Sequence, residues 1–241
     1  MTRWLLKKRK VDRRSTPELV VQSTSTSLGT FGSLNSWLRR ANCSIREGHV
    51  GMSGRADLLK SLLPRVCHCI GQTGFNAGHS VDLLLQARSS SKMMSFQLRG
   101  KVGSDARHAS DAGVAFIESR YPFRHTIIYG NSQQTLVRFG HEHACIGPFF
   151  DFVLVDGGHS YKCAMADLLN FRPLTRSDGI VVVDDVRRTP KHSWERGPSR
   201  TWRDAVDKGI VLDSGCKNVL GWGRYCACKL EKRPFVEVLC Q

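Results

Sequence analysis

Apolar positions along this chain follow two periods in turn. Short β-rich runs, Val66–Thr73, Met94–Leu98, His125–Tyr129, Phe152–Val155 and Ile180–Val183, read as strands. The last two are apolar at almost every position, which suits strands covered on both faces of a parallel sheet. Between the runs, apolar residues recur at helical steps over Gly54–Leu63, Val81–Ala87, Ser104–Ser119, Ser132–Phe139, Tyr161–Phe171 and Thr201–Lys208. Ile210–Leu212 and Tyr225–Leu230 read as closing strands. Strands alternating with helices predict an α/β domain of Rossmann-like, doubly wound form, with a mostly parallel sheet and right-handed crossovers.

The polar residues that end the strands carry the candidate chemistry. One run breaks into Asp156-Gly157-Gly158-His159-Ser160-Tyr161, and another into Asp184-Asp185. In an open α/β sheet, ligands lie beyond the carboxyl ends of the strands. Neighbouring strands lie about 4.8 Å apart, so Asp156, Asp184 and Asp185 are expected to converge. Like charges so close favour a cation between them, and all-oxygen ligation suits Mg2+ or another hard divalent ion. The bland alternative is that Asp184 or Asp185 caps a turn. His159, with an ordinary pKa near 6.5, fits a general base or a residue that holds the loop. The earliest strand runs into Gly74-Phe75-Asn76-Ala77-Gly78 and then a helix, the opening of a nucleotide-binding βαβ unit. Its Gly-x-x-x-Gly spacing by itself equally suits a plain tight turn.

Composition then narrows the setting. The chain has 241 residues and a formal net charge of +15, which favours anionic encounters without choosing among them. Residues 1–49, with Lys7-Lys8-Arg9-Lys10 and a Ser/Thr-rich stretch, read as a flexible basic leader, and 50–241 as the folded domain. Such a leader suits a nuclear signal, a nucleic-acid arm or an organelle transit peptide. Nine cysteines without a CxxC pair read as reduced thiols, hence an intracellular and by preference cytoplasmic protein. His141-Glu142-His143-Ala144-Cys145 lacks a second ligand pair and reads as a polar loop. No apolar run approaches the ~20 residues of a spanning helix. Arg187, Arg188, Lys191, Arg196 and Arg200 crowd the stretch after Asp185, either to draw in an anionic acceptor or as a solvated face.

Taken together, Gln72-Thr73-Gly74-Phe75-Asn76-Ala77-Gly78-His79-Ser80, the Asp156–Tyr161 stretch and Asp184-Asp185 resemble three motifs of the class I S-adenosylmethionine-dependent methyltransferases, in order. They are most similar to the O-methyltransferase-like branch called the methyltransferase family 24 domain. The resemblance implies a seven-stranded sheet whose last strand is antiparallel. It also implies S-adenosylmethionine over the Gly74–Gly78 turn, with Gln72, Gly74, Asn76, Gly78, Gln97, Asn131 and Ser132 as contacts. It further implies a divalent ion on Asp156, Asp184 and Asp185, and O-methylation of a small hydroxylated acceptor with Asp156 and His159 taking part. This chain departs from the family where Gln72, Gln97 and Asn131 stand at positions that usually hold acids. An amide still accepts a hydroxyl hydrogen bond, but more weakly than a carboxylate. Two other readings stay open: a catalytically degenerate module that binds nucleic acid through its basic surface, and an RNA methyltransferase.

Overall fold

The structure is a computed structural model that describes residues 33–43, 54–144 and 147–226. Seven strands form one sheet in the order β3-β2-β1-β4-β5-β7-β6. They span Cys69–Thr73 (β1), Lys92–Gln97 (β2), His125–Tyr129 (β3), Phe150–Val155 (β4), Thr175–Asp184 (β5), Val211–Lys217 (β6) and Leu220–Tyr225 (β7). Strands β1 to β5 are mutually parallel, and β7 runs antiparallel between β5 and β6. The α/β, doubly wound, mostly parallel architecture with an antiparallel last strand is therefore the one expected.

Burial explains the central strands. Every residue of β4 is buried, as a strand paired on both edges and covered on both faces requires. One face is covered by α1 (Leu34–Arg40), α2 (Arg55–Leu62), α3 (His79–Ala87) and α4 (Asp105–Arg120), through Leu38, Leu59, Leu84 and Phe116. The other is covered by α5 (Ser132–Glu142), α6 (Tyr161–Phe171) and α7 (Ser193–Asp207), through Leu136, Phe171 and Trp202. Strand order reverses between β1 and β4, and this opens a crevice at their carboxyl ends. Register brings the ends level there: Thr73 lies beside Phe96 and Val155, and Val155 beside Val183.

Four expectations are corrected. Part of the proposed leader belongs to the domain: Leu34 and Leu38 of α1 are buried, and Trp37 Nε1 donates to the Ala112 carbonyl at 2.9 Å. Residues 1–32 and 44–53, which hold the rest of that leader, lie outside the described residues. Leu38→Ala is expected to destabilise the domain by about 2–5 kcal/mol in a denaturant melt. A loss below about 0.5 kcal/mol would show that α1 is dispensable.

Second, α7 begins at Ser193 rather than near Thr201, because Pro198 is accommodated inside the helix. Its start is held by a capping box between His192 and the buried Glu195. Third, β7 ends at Tyr225, where the sequence pattern put a strand's beginning; residues 227–230 lie outside the described residues. Gly221 and Gly223 masked this strand, yet an added Cβ at Gly223 would lie 2.0 Å from the Leu212 carbonyl oxygen. Fourth, Cys43, Cys67, Cys69, Cys216 and Cys226 are free thiols as anticipated, but Cys163 is disulfide-bonded. His141 and Glu142 end α5, and His143 caps it, bonding the Phe139 carbonyl; Cys145 lies outside the described residues.

Candidate active site

The glycine turn leaves β1 at the sheet crevice. Gly74 has φ +81, and its N–H donates to the Phe96 carbonyl at 3.0 Å. The Asp156 N–H donates to the Thr73 carbonyl at 3.2 Å, so the β1 and β4 loops begin locked together. Asn76 also has positive φ, and Gly78 is the left-handed N-cap of α3. The helix thus presents its first N–H groups to the crevice, a place that suits an anionic or polar ligand.

The expected cofactor contacts divide. Gln97 Oε1 accepts the N–H of Phe75 at 2.6 Å and of Asn76 at 3.4 Å, while its Nε2 donates to the Leu98 carbonyl. Both lone pairs of the amide oxygen are thereby used, and Gln97 shapes the turn instead of receiving ribose hydroxyls. Gln72 is fully buried. It donates to Ser95 Oγ and accepts from Ser80 Oγ, each at 2.8 Å, so its expected contact with a cofactor is corrected to a core network. That network continues to His125, whose pKa burial pushes down to about 3, so the imidazole is neutral. Asn131 caps α5, its Oδ1 accepting from the Gln133 N–H at 3.1 Å, at the carboxyl end of β3. The Ser132 hydroxyl turns inward and donates to Asp167 Oδ1 at 2.7 Å, so only the backbone at Ser132 can face a ligand.

The acidic cluster is also rearranged. β4 and β5 are adjacent, as anticipated, but their three aspartates do not meet. Asp184 is buried and paired with Arg55 of α2, and its Oδ1 accepts the Asp185 N–H. A buried carboxylate takes the nearest strong donor, and here that is the guanidinium of Arg55 on α2. Its place is taken by His159. Ligand atoms of Asp156, His159 and Asp185 all lie within 4.8 Å of one another, and His159 Nε2 stands 3.0 Å from Asp185 Oδ2. The donor set is two carboxylates and one imidazole rather than oxygen alone. It fits a divalent cation, with Mn2+ or another imidazole-tolerant ion now as suitable as Mg2+.

Helix α7 holds both ligand loops. Ser199 Oγ donates to the Asp185 carbonyl and accepts the Arg187 N–H, and Thr201 Oγ1 donates to the Tyr161 carbonyl. Gly197 lets the helix approach, since a Cβ there would lie 2.1 Å from the His159 carbonyl oxygen. Asp185 sits at φ 57, an unusual backbone state for a non-glycine residue that these contacts maintain. Ser160 caps α6 by accepting the Cys163 N–H, and Arg200 lies over the Tyr161 ring at 4.5 Å.

Sequence reasoning missed Asp167, which lies under these loops. The carboxyl is fully buried, and its Oδ2 makes no hydrogen bond among the described residues. Burial raises its pKa to about 7, although the hydrogen bond from the Ser132 hydroxyl favours the charged form. The available signal was an acid among the buried positions of α6, Ala164, Ala166, Leu168 and Phe171. Arg55 and Glu195 were missed too, and nothing in their local sequence marks them.

Comparison with known proteins fits this geometry. Residues 71–186 match the methyltransferase family 24 model, described as a methyltransferase domain. No curated protein sequence matches the chain. An O-methyltransferase from Bacillus cereus, solved with SAH, is similar at TM-score 0.61 and 16% identity, covering 79% of this chain and 90% of that one. The SAH-bound methyltransferase PaMTH1 of Podospora anserina is similar at TM-score 0.56 and 16% identity, covering 80% and 87%. MycE, from the mycinamycin biosynthetic pathway and solved with Mg, SAH and mycinamycin VI, is similar at TM-score 0.50 and 13% identity, covering 86% and 58%. The fold is that of the class I S-adenosylmethionine-dependent methyltransferases. Within it, the stretch similar to the family 24 model, residues 71–186, runs from β1 to just past β5.

Proposed function

We propose that this protein transfers the methyl group of S-adenosylmethionine to a hydroxyl oxygen of a small molecule, with a divalent cation held by Asp156, His159 and Asp185. The observation that carries the reading is this trio, gathered within 4.8 Å at the carboxyl ends of β4 and β5. The SAH and Mg in the similar structures support the same choice of ligands. A cation there supplies positive charge that lowers the pKa of the acceptor hydroxyl. The chain contributes the alignment: the Gly74–Gly78 turn and α3 N-terminus hold the cofactor, Asn131 Nδ2 adds a donor, and the trio fixes the acceptor oxygen. The new carbon–oxygen bond forms as the carbon–sulfur bond breaks, and the hydroxyl proton leaves to a carboxylate of the trio or to solvent.

The 3.0 Å contact between His159 and Asp185 favours a second reading, in which the pair is a metal-free general base. Methyl transfer to a panel of hydroxylated acceptors, with Mg2+, Mn2+ or excess chelator, separates the two. Activity is expected to vanish in chelator and return with the ion; full activity in chelator would remove the metal role and leave the base pair. Asp185→Asn keeps shape and hydrogen bonding while removing one ligand charge. It is expected to weaken cation binding and kcat/KM by roughly 10–100-fold with little change in melting temperature.

A further inference from the structure

Beyond Asp185 the chain runs straight into a hollow that the trio does not use. Val186, Arg187, Arg188 and Thr189 form one wall, the β6–β7 turn forms the other, and the hollow holds about 270 Å3. Leu220, the first residue of β7, pairs with Asp184, so the turn stands at the same edge of the sheet as the trio. The walls are joined: the Val186 N–H donates to the Val219 carbonyl at 2.9 Å, and Cys216 Sγ lies 3.2 Å from the Val186 carbonyl oxygen. Asn218 and Val219 both have positive φ, which a β-branched residue adopts only under constraint from its surroundings.

The lining is cationic. Arg187, Arg188 and Lys217 all border the hollow. Arg187 gives its Nε to Glu195, so one of the three charges is balanced. Arg188 and Lys217 are exposed and make no ion pair with an acid among the described residues. The thiol of Cys216 registers this field: burial and Asp213 push its pKa up, while Arg188 and Arg187 pull it back. A pair of unbalanced cations beside a shaped concavity is a recognition site for a compact anion.

We propose that this hollow is the anion subsite of the methyl acceptor, which is a small molecule bearing a phosphate or carboxylate as well as its hydroxyl. The anion lies between Arg188 and Lys217 while the hydroxyl reaches the trio. The assignment rests on the O-methylation reading of Asp156, His159 and Asp185. A nucleic-acid strand is disfavoured, since it needs a groove tracking several phosphates with stacking aromatic rings, and this single hollow has no aromatic ring in its lining.

Two measurements on the full chain test it. The first is calorimetric titration of inorganic pyrophosphate into the wild type, Arg188→Gln, Lys217→Gln and the double variant. Saturable binding is expected, weaker by about tenfold in the double variant, with S-adenosylmethionine affinity retained as the check on folding. No binding by the wild type, or equal binding by the double variant, would overturn the subsite. The second compares 3,4-dihydroxybenzoate with 3,4-dihydroxybenzyl alcohol, a matched pair differing in charge. The acid is expected to have the higher kcat/KM, and the ratio to collapse in the double variant. Equal use of both by the wild type overturns the subsite and leaves O-methylation standing. If neither is methylated with any cation, the reading of the trio fails, and the pyrophosphate titration alone decides the hollow. To separate a carboxylate or phosphate ligand from a polynucleotide, a single-stranded oligonucleotide is titrated against bound pyrophosphate. Displacement with a steep salt slope, signifying several phosphate contacts, would overturn the small-molecule assignment.

Discussion

Gly74→Val is expected to abolish S-adenosylmethionine binding and to destabilise the domain even without ligand. A Cβ at Gly74 would lie 1.9 Å from the Asp156 carbonyl oxygen and 2.8 Å from its carbonyl carbon, at φ +81. These neighbours are backbone and cannot rotate away, so the β1 and β4 loops must separate. A second reason is possible, that a side chain at Gly74 would take the place of a cofactor lying over the turn. The two reasons predict different outcomes for Gly74→Ala. If the obstacle were the ligand alone, alanine would melt like the wild type and bind weakly. With the backbone collision, alanine too should melt lower, by several kcal/mol. Thermal melts of both variants without ligand, followed by calorimetry with S-adenosylmethionine, decide it; two normal melts would show that the loops can part freely.

The second large effect is expected at Asp167, through pH. Its folded pKa is raised from an ordinary 3.8 to about 7 by burial. The native state therefore binds this proton more tightly than the unfolded chain does. The resulting stabilisation is complete below the unfolded value, declines as pH rises above about 4, and is lost once pH passes the folded value near 7. Each tenfold gain in proton affinity is worth about 1.4 kcal/mol, so the ceiling is about 4 kcal/mol. Asp167→Asn has the same shape, still accepts from Ser132 and carries no charge. The variant is expected to gain stability relative to the wild type as pH rises from 4 to 7, with the difference constant above. Denaturant melts across that range measure it; parallel profiles would show that Asp167 stays ionised in the fold.

Much of the architecture was legible because it depends on local pattern. Unbroken apolar runs such as Phe152–Val155 can only be buried strands between two helical layers, and alternation with helical periods dictates parallel pairing. The turn at Gly74–Gly78 and the polar ends of β4 and β5 were legible for the same reason, since glycine and aspartate interrupt those runs. Elements whose signal was broken escaped. Helix α1 lay in a stretch with leader-like composition, Pro198 concealed the start of α7, and the glycines of β7 concealed a strand that needs them for close packing.

By itself, then, the sequence determined the fold class, the order of the elements and the loops on which chemistry must lie. Which side chains meet within those loops was decided only by tertiary structure. Asp184 and Asp185 are adjacent in sequence and identical in chemistry, yet one is drawn inward by Arg55, 129 residues away, and the other joins Asp156 and His159. Gln97 could serve ribose or its own glycine turn, and the N–H groups of Phe75 and Asn76 take its oxygen first. Periodicity encodes which face of an element is buried, because that depends on residues a few positions apart. The partner of a buried charge or amide depends on which distant donor the packed fold brings within about 3 Å, and local pattern carries no record of that distance.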